Sequence, residues 1–286
     1  DVTSTVNSLA GGFHTVTVTD MNGCSETDTV TIPEPISLTI ALTKTDVSCF
    51  NGSDGSASVT VNGGTNPFIY SWTPSGQATP TASNISAGWH TVVVTDANNC
   101  QAIDSVLVNQ PATGVTTTMS FTPLLCNGDA TGTASVLATG GSGTYTYSWS
   151  HNTALNSPNA TGLQAGLYTV TVTDVNNCDY VDNVTVTEPT ALSTIISMTP
   201  ASCNGYSDGT ATVVASGGVG NYSYAWLPSG GFDSIATNLS TGLYGVSVTD
   251  GNGCVIGDTI TVDEPDGMTL TMSMLPVSCH DGTNGS

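Results

Sequence analysis

The sequence predicts an all-β protein, a tandem array of small β-sandwich domains that are each about 77 residues long. Landmark residues recur with this constant period, so that Trp72 is followed by Trp149 and Trp226. Short segments alternate apolar and polar residues with the period of two that is typical of strands. No segment shows the 3.6-residue period of an amphipathic helix.

The repeat also predicts the domain boundaries. We expect the C-terminal half of a repeat at 1–35, complete repeats at 36–111, 112–189 and 190–265, and the N-terminal start of a further repeat at 266–286. Each repeat closes with Glu or Gln before a proline, which fixes φ and predicts a short, stiff joint between domains. Because the sequence starts and stops within a repeat, we expect it to be cut from a longer protein.

Alternating segments predict the strands of the first complete repeat at Leu38–Leu42, Ala57–Val61, Phe68–Trp72 and His90–Thr95. The stretch 73–87 is rich in Pro, Ser, Gly and Thr, which predicts a looser connection. With a last strand after the second cysteine, each repeat has six or seven strands. A Trp at one position per repeat is most simply the centre of a sandwich core. The predicted core aromatic residues are Trp72, Trp149, Trp226, Tyr70, Tyr147 and Tyr224.

The charge of the chain excludes several classes of partner. It has one Lys or Arg residue against 22 acidic residues, a net charge of -21. Such a surface cannot replace the counterions of a phosphate backbone, so we expect no nucleic-acid partner. Anionic lipid is disfavoured for the same reason, and no apolar stretch is long enough for a membrane-spanning helix. The remaining partners are neighbouring repeats of the same chain and identical chains side by side in a filament.

Eight cysteines occupy two recurring positions per repeat, which is typical of disulfides formed in an oxidising compartment. Loop entropy barely separates the pairings, at roughly 4 kcal/mol for a loop within a repeat and roughly 3.5 kcal/mol for a loop across a proline joint. A small domain gains most from its own disulfide, so we favour the first set. The favoured set is Cys49–Cys100, Cys126–Cys178 and Cys203–Cys254; the alternative is Cys24–Cys49, Cys100–Cys126, Cys178–Cys203 and Cys254–Cys279; a third set pairs Cys49 with Cys178 and Cys126 with Cys254.

No arrangement of residues predicts catalysis or a cofactor. Ser, His and Asp do not recur together, and the glycine-rich turn at Gly140–Gly143 lacks the lysine of a phosphate loop. The turn Asp-x-Asn-x-Cys offers calcium one carboxylate per repeat, whereas a calcium site takes six to eight oxygens. We therefore expect no metal, and the calcium candidates are Asp20, Asp96, Asp174 and Asp250.

Four phrases in a constant order resemble the SprB-type repeat of Bacteroidetes gliding and surface adhesins. They are Val-Ser-Cys-Phe-Asn-Gly-Ser-Asp-Gly at 47–55, Gly-Gly-x-x-x-(Phe/Tyr)-x-Tyr-x-Trp, Ala-Gly-x-(His/Tyr)-x-Val-x-Val-Thr-Asp, and Asn-x-Cys. The strand-and-turn order is similar to PKD and immunoglobulin-like sandwiches. The resemblance implies type IX secretion, extracellular display on the cell surface, adhesion and gliding motility. Asp-Ser/Thr-aliphatic segments also resemble a Bacteroidetes O-glycosylation motif, with acceptors Thr29, Ser105 and Thr259.

These observations predict a non-enzymatic structural region, the stalk or filament of a very large bacterial cell-surface adhesin. The alternative is a carbohydrate-binding or spacer array attached to a secreted hydrolase, which would need exposed aromatic residues in a line. Neither surface glycans nor another adhesion ligand is specified by the sequence.

Overall fold

The computed structural model describes residues 5–278, 280–283 and 285, and these residues contain 20 strands and no helix. The half-repeat has β1 (Gly12–Thr19) and β2 (Ser25–Ile32). The first complete repeat has β3 (Thr39–Thr45), β4 (Gly55–Asn62), β5 (Ile69–Thr73), β6 (Thr81–Ile85), β7 (Gly88–Thr95) and β8 (Gln101–Val108). The second has β9 (Thr116–Thr122), β10 (Gly132–Thr139), β11 (Tyr145–Trp149), β12 (Asn159–Leu163), β13 (Gly166–Asp174) and β14 (Asp179–Val186). The third has β15 (Ser193–Thr199), β16 (Gly209–Ser216), β17 (Ser223–Leu227), β18 (Ile235–Leu239), β19 (Gly242–Thr249) and β20 (Val255–Val262).

The strands of each complete repeat form two three-stranded sheets with the same order in every copy. In the first repeat the orders are β3-β4-β6 and β5-β7-β8, and neighbouring strands are antiparallel. The half-repeat contributes a two-stranded sheet, β1-β2. The predicted loose stretch 73–87 differs from the structure, because it contains β6.

A bulge shapes the central strand of one sheet in each repeat. The register of β4 against β6 shifts between Gly55 and Ser56, and the same shift occurs after Gly132 and Gly209. A Cβ at Gly55 would lie 2.9 Å from the carbonyl oxygen of Ile85 and from Val108. The strand can therefore start in this close position only with glycine.

The described residues form two compact units. Unit 1 comprises Asp1–Thr116, Ala138–Thr146 and Val172–Tyr180, and unit 2 comprises Thr117–Leu137, Tyr147–Thr171 and Val181–Ser286. The predicted domain boundaries remain predictions, since this division follows the density of contacts and passes through the second repeat.

The main core of unit 1 lies between the two sheets of the first complete repeat. Trp72 is 1% exposed, and its indole N–H donates to the carbonyl oxygen of Thr79 at 3.0 Å. Alternating residues of β4 and β7 face it, which explains their period of two. The buried cluster is Val47, Ala57, Val59, Trp72, Ala82, Ile85, Val92, Val94 and Val108.

Unit 2 contains an equivalent core in the third repeat. Trp226 is buried there, and its indole N–H donates to the carbonyl oxygen of Asp233 at 3.0 Å. The buried cluster is Ala211, Val213, Trp226, Ala236, Leu239, Tyr244, Val246, Val248 and Val262. Trp149 also lies in unit 2 and is buried, with its indole N–H donating to the carbonyl oxygen of Ser157 at 2.9 Å.

The fold class is confirmed: the chain is all β, a tandem array of β-sandwich repeats with two three-stranded sheets each. The predicted Trp positions are buried, whereas Tyr70, Tyr147 and Tyr224 are only partly buried. Over the described residues, no helix with the length and apolar character of a membrane span is present.

Candidate functional site

Two disulfides give the chain its most distinctive site. Cys49 is bonded to Cys178 within unit 1, with an S–S distance of 2.07 Å and a sequence separation of 129. Cys126 is bonded to Cys254 within unit 2, with an S–S distance of 2.00 Å and a separation of 128. Each bond joins the first cysteine of one repeat to the second cysteine of the next repeat. We call this arrangement the cysteine junction. It comprises a cysteine loop, the segment around the first cysteine of a repeat (47–55 in the first complete repeat), and a cysteine turn, the Asp-x-Asn-x-Cys segment that ends at the second cysteine (174–178 in the second complete repeat).

The favoured pairing is therefore wrong, and so is the alternative across the proline joints. Every pair in both sets uses a cysteine that is bonded elsewhere, while the third set matches the structure. Cys24, Cys100 and Cys203 are free and exposed. Cys279 lies outside the described residues. The pairs that the structure contradicts are Cys49–Cys100, Cys126–Cys178, Cys203–Cys254, Cys24–Cys49, Cys100–Cys126, Cys178–Cys203 and Cys254–Cys279.

The reason is that the two cysteines of one repeat lie at different ends of its sandwich. The cysteine loop is beside the exit of the last strand, where Val47 N–H donates to the carbonyl oxygen of Asn109 at 2.9 Å. The cysteine turn is beside the entry of the first strand, where Gly64 N–H donates to the carbonyl oxygen of Ile36 at 2.9 Å and Thr65 N–H to Asp96. A disulfide needs Cα atoms within about 7 Å, so a bond along the whole sandwich is excluded.

An aspartate organises each cysteine turn. The Oδ1 of Asp174 accepts hydrogen bonds from the N–H groups of Asn176 and Cys178, both at 2.9 Å, and its Oδ2 accepts one from Ser142 at 2.8 Å. Gly141 has a φ of 63°, as the glycine-rich turn predicts, and a Cβ there would lie 2.7 Å from the Asp174 Oδ2. Asp96 and Asp250 make the same three kinds of hydrogen bond.

These hydrogen bonds determine the ionisation of the three buried carboxylates. For Asp96 and Asp174, burial opposes the charged form, but the N–H donors outweigh it and lower the pKa below its usual value. For Asp250, the N–H of Val219 is the largest cause of the lowered pKa. Each turn therefore keeps a charged carboxylate that fixes the backbone around its cysteine.

The turn docks onto the cysteine loop through polar contacts as well as the disulfide. Asn176 Nδ2 donates to the carbonyl oxygen of Ser48 at 3.0 Å, and the Cys178 Sγ lies 3.5 Å from the same oxygen. At the second junction Asn252 Nδ2 donates to the carbonyl oxygen of Leu125 at 2.9 Å, and the Cys254 Sγ lies 3.4 Å from it. The asparagine of Asp-x-Asn-x-Cys is thus a contact residue of the junction.

The residue before each closing proline holds the cysteine loop. Gln110 Oε1 accepts a hydrogen bond from Asn51 N–H at 2.8 Å, and Glu188 Oε2 accepts one from Gly128 N–H at 2.7 Å. Glu264 makes the same contact with Gly205 at 2.7 Å. The recurring Glu or Gln before proline is the signal in the sequence from which this contact could have been predicted.

The four calcium candidates lie in four different cysteine turns, so each turn contributes one of these carboxylates. Over the described part of the chain, no group of three or more His, Cys, Asp or Glu side chains could hold a metal ion. The oxygens of Asp96, Asp174 and Asp250 already accept N–H groups, and Asp20 Oδ1 accepts those of Asn22 and Cys24 at 2.9 Å. The geometry assigns these carboxylates to the turn.

The three predicted glycosylation acceptors lie on exposed positions of the last strand of their repeats, at Thr29 in β2, Ser105 in β8 and Thr259 in β20. The preceding aspartate accepts a hydrogen bond from each acceptor's backbone N–H, at 2.7–2.8 Å. Ser105 Oγ also lies 2.8 Å from Thr91 Oγ1. Modification at these residues remains a prediction.

A comparison with protein-family models found one family that matches the repeat. The model described as "SprB repeat" matches residues 41–77, 118–154 and 195–231, one match in each complete repeat. The chain carries three SprB repeat segments, one in each complete repeat. Each match runs from the first strand across the cysteine loop to just beyond the core Trp, so the loop half of the junction belongs to the matched part of the SprB repeat. A comparison with curated protein sequences found no match.

Solved structures with similarity to the chain include Down syndrome cell adhesion molecule, N-terminal eight Ig domains, at 10% identity and a TM-score of 0.35. That similarity covers 89% of this chain but 43% of the other, so the array spans less than half of that relative's length. Surface layer protein SbsC, domains 1–6, has 16% identity and a TM-score of 0.27, over 93% of this chain and 46% of the other. At these TM-scores the similarities add no argument to the fold.

Proposed function

We propose that this array of repeats is a stalk segment of a secreted bacterial cell-surface adhesin. The repeats are structural, and the observation that supports a stalk is the cysteine junction, which occurs twice with the same contacts. A junction of this kind adds a covalent bond parallel to the polypeptide linker between successive repeats. Such a construction suits a chain whose task is to transmit force.

The chemistry of the junction supports a location outside the cytoplasm. Disulfides persist in oxidising compartments and are rare where glutathione and thioredoxin keep thiols reduced. The net charge of -21 with a single basic residue favours a well-solvated chain that does not adhere to nucleic acid. The three SprB repeat segments support the finer proposal of adhesion, gliding and type IX secretion.

The runner-up, a carbohydrate-binding array, has less support. Trp89 and Phe13 are exposed aromatic residues at one repeat position, 65% and 82% accessible. The same position holds Leu167 and Leu243 in the other repeats, so it does not repeat as an aromatic residue. Stacking on sugar rings is therefore not a property of every copy.

Antibodies raised against the chain test the proposal on intact cells of the source organism. We expect labelling without permeabilisation and its loss after treatment of the cells with an external protease of broad specificity. An antibody to a cytoplasmic protein is the control for cell integrity. Labelling that requires permeabilisation would contradict surface display.

Deleting the repeats in frame should weaken attachment of the cells to a surface. Unchanged attachment would contradict the adhesin role while leaving the proposed surface location intact.

A further inference from the structure

The first and last strands of a complete repeat lie side by side and run in the same direction. In the third repeat these strands are β15 and β20. Thr194 Oγ1 donates to Asp258 Oδ2 at 3.1 Å, and Ala201 N–H donates to the carbonyl oxygen of Asp263 at 2.9 Å. The first contact lies early in β15 and the second lies beyond its end, and the contacts follow the same order along β20, so the two strands are parallel. The same two contacts join β9 to β14 in the second repeat: Thr117 to Asp182, and Leu124 to Thr187.

Each disulfide connects a first strand to a last strand. In unit 2, Cys126 follows the end of β9, and its partner Cys254 directly precedes β20. The covalent path from β9 through this bond therefore enters β20 without passing through any strand between them. In unit 1, Cys49 follows β3 and Cys178 directly precedes β14, with the same result.

The proline joints extend these paths into two separate covalent lines. Line one contains β3, the first disulfide, β14 and, across Pro189, β15. Line two contains β8 and, across Pro111, β9, then the second disulfide and β20. Every first or last strand of a complete repeat belongs to one line, and the two such strands of one repeat belong to different lines. The inner strands β4–β7, β10–β13 and β16–β19 belong to neither line.

The strands of both lines are already close to full extension. A strand rises about 3.3 Å per residue, and a fully extended chain spans at most about 3.6 Å per residue. Tension along a line is therefore taken by covalent backbone after a small elongation, before the hydrogen bonds to the inner strands have to break. Without the disulfides, the covalent path between two proline joints leads through the inner strands. The parallel first and last strands of a repeat would then be pulled in opposite directions, and the sandwich would bear the load.

We propose that lines one and two carry tension along the chain while the inner strands of each repeat stay folded. This inference rests on the proposed stalk, which it deepens by naming the strands that bear the load. The load path is measured on single molecules, so its failure is distinct from a failure of surface display. Molecules without the load path could still be labelled on cells, and molecules absent from the cell surface could still show it.

Two pulling geometries on the full chain test the two lines. Handles at the Cys100 thiol and the C-terminus load line two, whereas handles at the N-terminus and the Cys203 thiol load line one. Serine replaces the remaining free cysteines and Cys279 in each case. For line two, C126S/C254S should add about 350 Å to the maximum extension, because the shortest covalent path grows by about 100 residues.

The matched control for line two is C49S/C178S, which should leave the maximum extension unchanged because the first disulfide is not part of this line. For line one the two double variants should exchange their effects. Equal effects of both variants in either geometry would overturn the arrangement in two lines.

A buried thiol tests whether the inner strands stay folded under load. Val213 in β16 is 1% exposed, and V213C introduces a thiol there with a side chain of similar size. Line two is held at a force that unfolds the C126S/C254S variant. At this force, V213C should react with a maleimide at least about tenfold more slowly with the second disulfide present than in that variant. Equal rates would show that the inner strands bear the load and would overturn the proposal.

A second probe guards against a local effect of the substitution. Val136 lies in β10 of the second repeat and is 5% exposed, and V136C is read in the same way. Both probes should react slowly without force in either background. Protection of both probes under load supports the proposal, and rapid reaction of either one with the disulfide closed, at a force that the unloaded control excludes as its cause, contradicts it.

Discussion

The overlap of the two disulfides predicts how far the chain can be stretched. Cys126 lies inside the loop closed by Cys49–Cys178, and Cys178 lies inside the loop closed by Cys126–Cys254. The backbone from Cys49 to Cys254 is about 205 residues long, but the shortest covalent path crosses both disulfides, from Cys49 to Cys178, back along the chain to Cys126 and on to Cys254, and it has only about 52 residues. At about 3.5 Å per extended residue, the oxidised chain should be about 520 Å shorter than the reduced chain when both are fully unfolded by force.

Removing one of the two bonds lengthens this shortest path. The double variant C49S/C178S keeps only the path through Cys126–Cys254, which withholds 128 residues and leaves about 77 residues between Cys49 and Cys254. We therefore expect its maximum extension to exceed that of the parent protein by about 80 Å. Replacing all four bonded cysteines should add about 520 Å to the maximum extension of the parent protein.

Single-molecule force spectroscopy with handles at both termini measures these lengths directly. The matched control is the variant with serine at Cys24, Cys100 and Cys203, which removes exposed thiols and should not change the extension of single molecules. Disulfides within each repeat would instead give about 180 Å of added length for each bond removed. An added length of that size in C49S/C178S would refute the reasoning.

Three further predictions concern single side chains. E188A should destabilise the second cysteine loop by about 1 kcal/mol in denaturant unfolding, because it leaves Gly128 N–H without its acceptor, whereas E188Q should be close to neutral; equal losses would contradict the contact. H90Y should stabilise the protein by about 1 kcal/mol, because the Nδ1 of His90 is buried without a hydrogen-bond partner. Tyr168 occupies the equivalent position in the second repeat, and its hydroxyl donates a hydrogen bond to a backbone carbonyl. A loss of stability in H90Y would refute this. Burial opposes the charged form of Asp174, but backbone N–H donors outweigh it and lower the pKa of the carboxyl. The carboxylate therefore stabilises the folded protein fully above the unfolded-state pKa, and this stabilisation is lost as pH falls through the lower folded-state pKa. The free energy of unfolding, measured from pH 7 to pH 2, should fall accordingly, and it should fall less in D174N.

The elements that follow from local pattern could be predicted from the sequence. Alternation places His90 of β7 and Tyr244 of β19 on the core side, each with the valines two and four positions further on, because a strand exposes successive side chains on opposite faces. The Asp-x-Asn-x-Cys turn could likewise be recognised as a turn. β6 was missed, because a five-residue strand with only Ala82 and Ile85 buried carries too little apolar pattern to distinguish it from a loop.

The junction could not be chosen from the sequence, because loop entropy depends only weakly on loop length. A loop of 129 residues and one of about 51 differ by less than about 1 kcal/mol in the chain-entropy model. What decides the pairing is the end of the sandwich at which each cysteine lies. That depends on the hydrogen bonds of Val47 to Asn109 and of Gly64 to Ile36, which are made between distant parts of the chain.

Pairing between successive repeats has a consequence for how such an array changes over generations. Recombination between copies adds or deletes repeats in whole steps. If the second complete repeat were lost, the loop at Cys49 would meet the turn at Cys254, which carries the same aspartate and asparagine as the turn it replaces. The array can therefore grow or shrink without leaving an internal cysteine unmatched, and its length is free to follow the distance that the organism needs to reach.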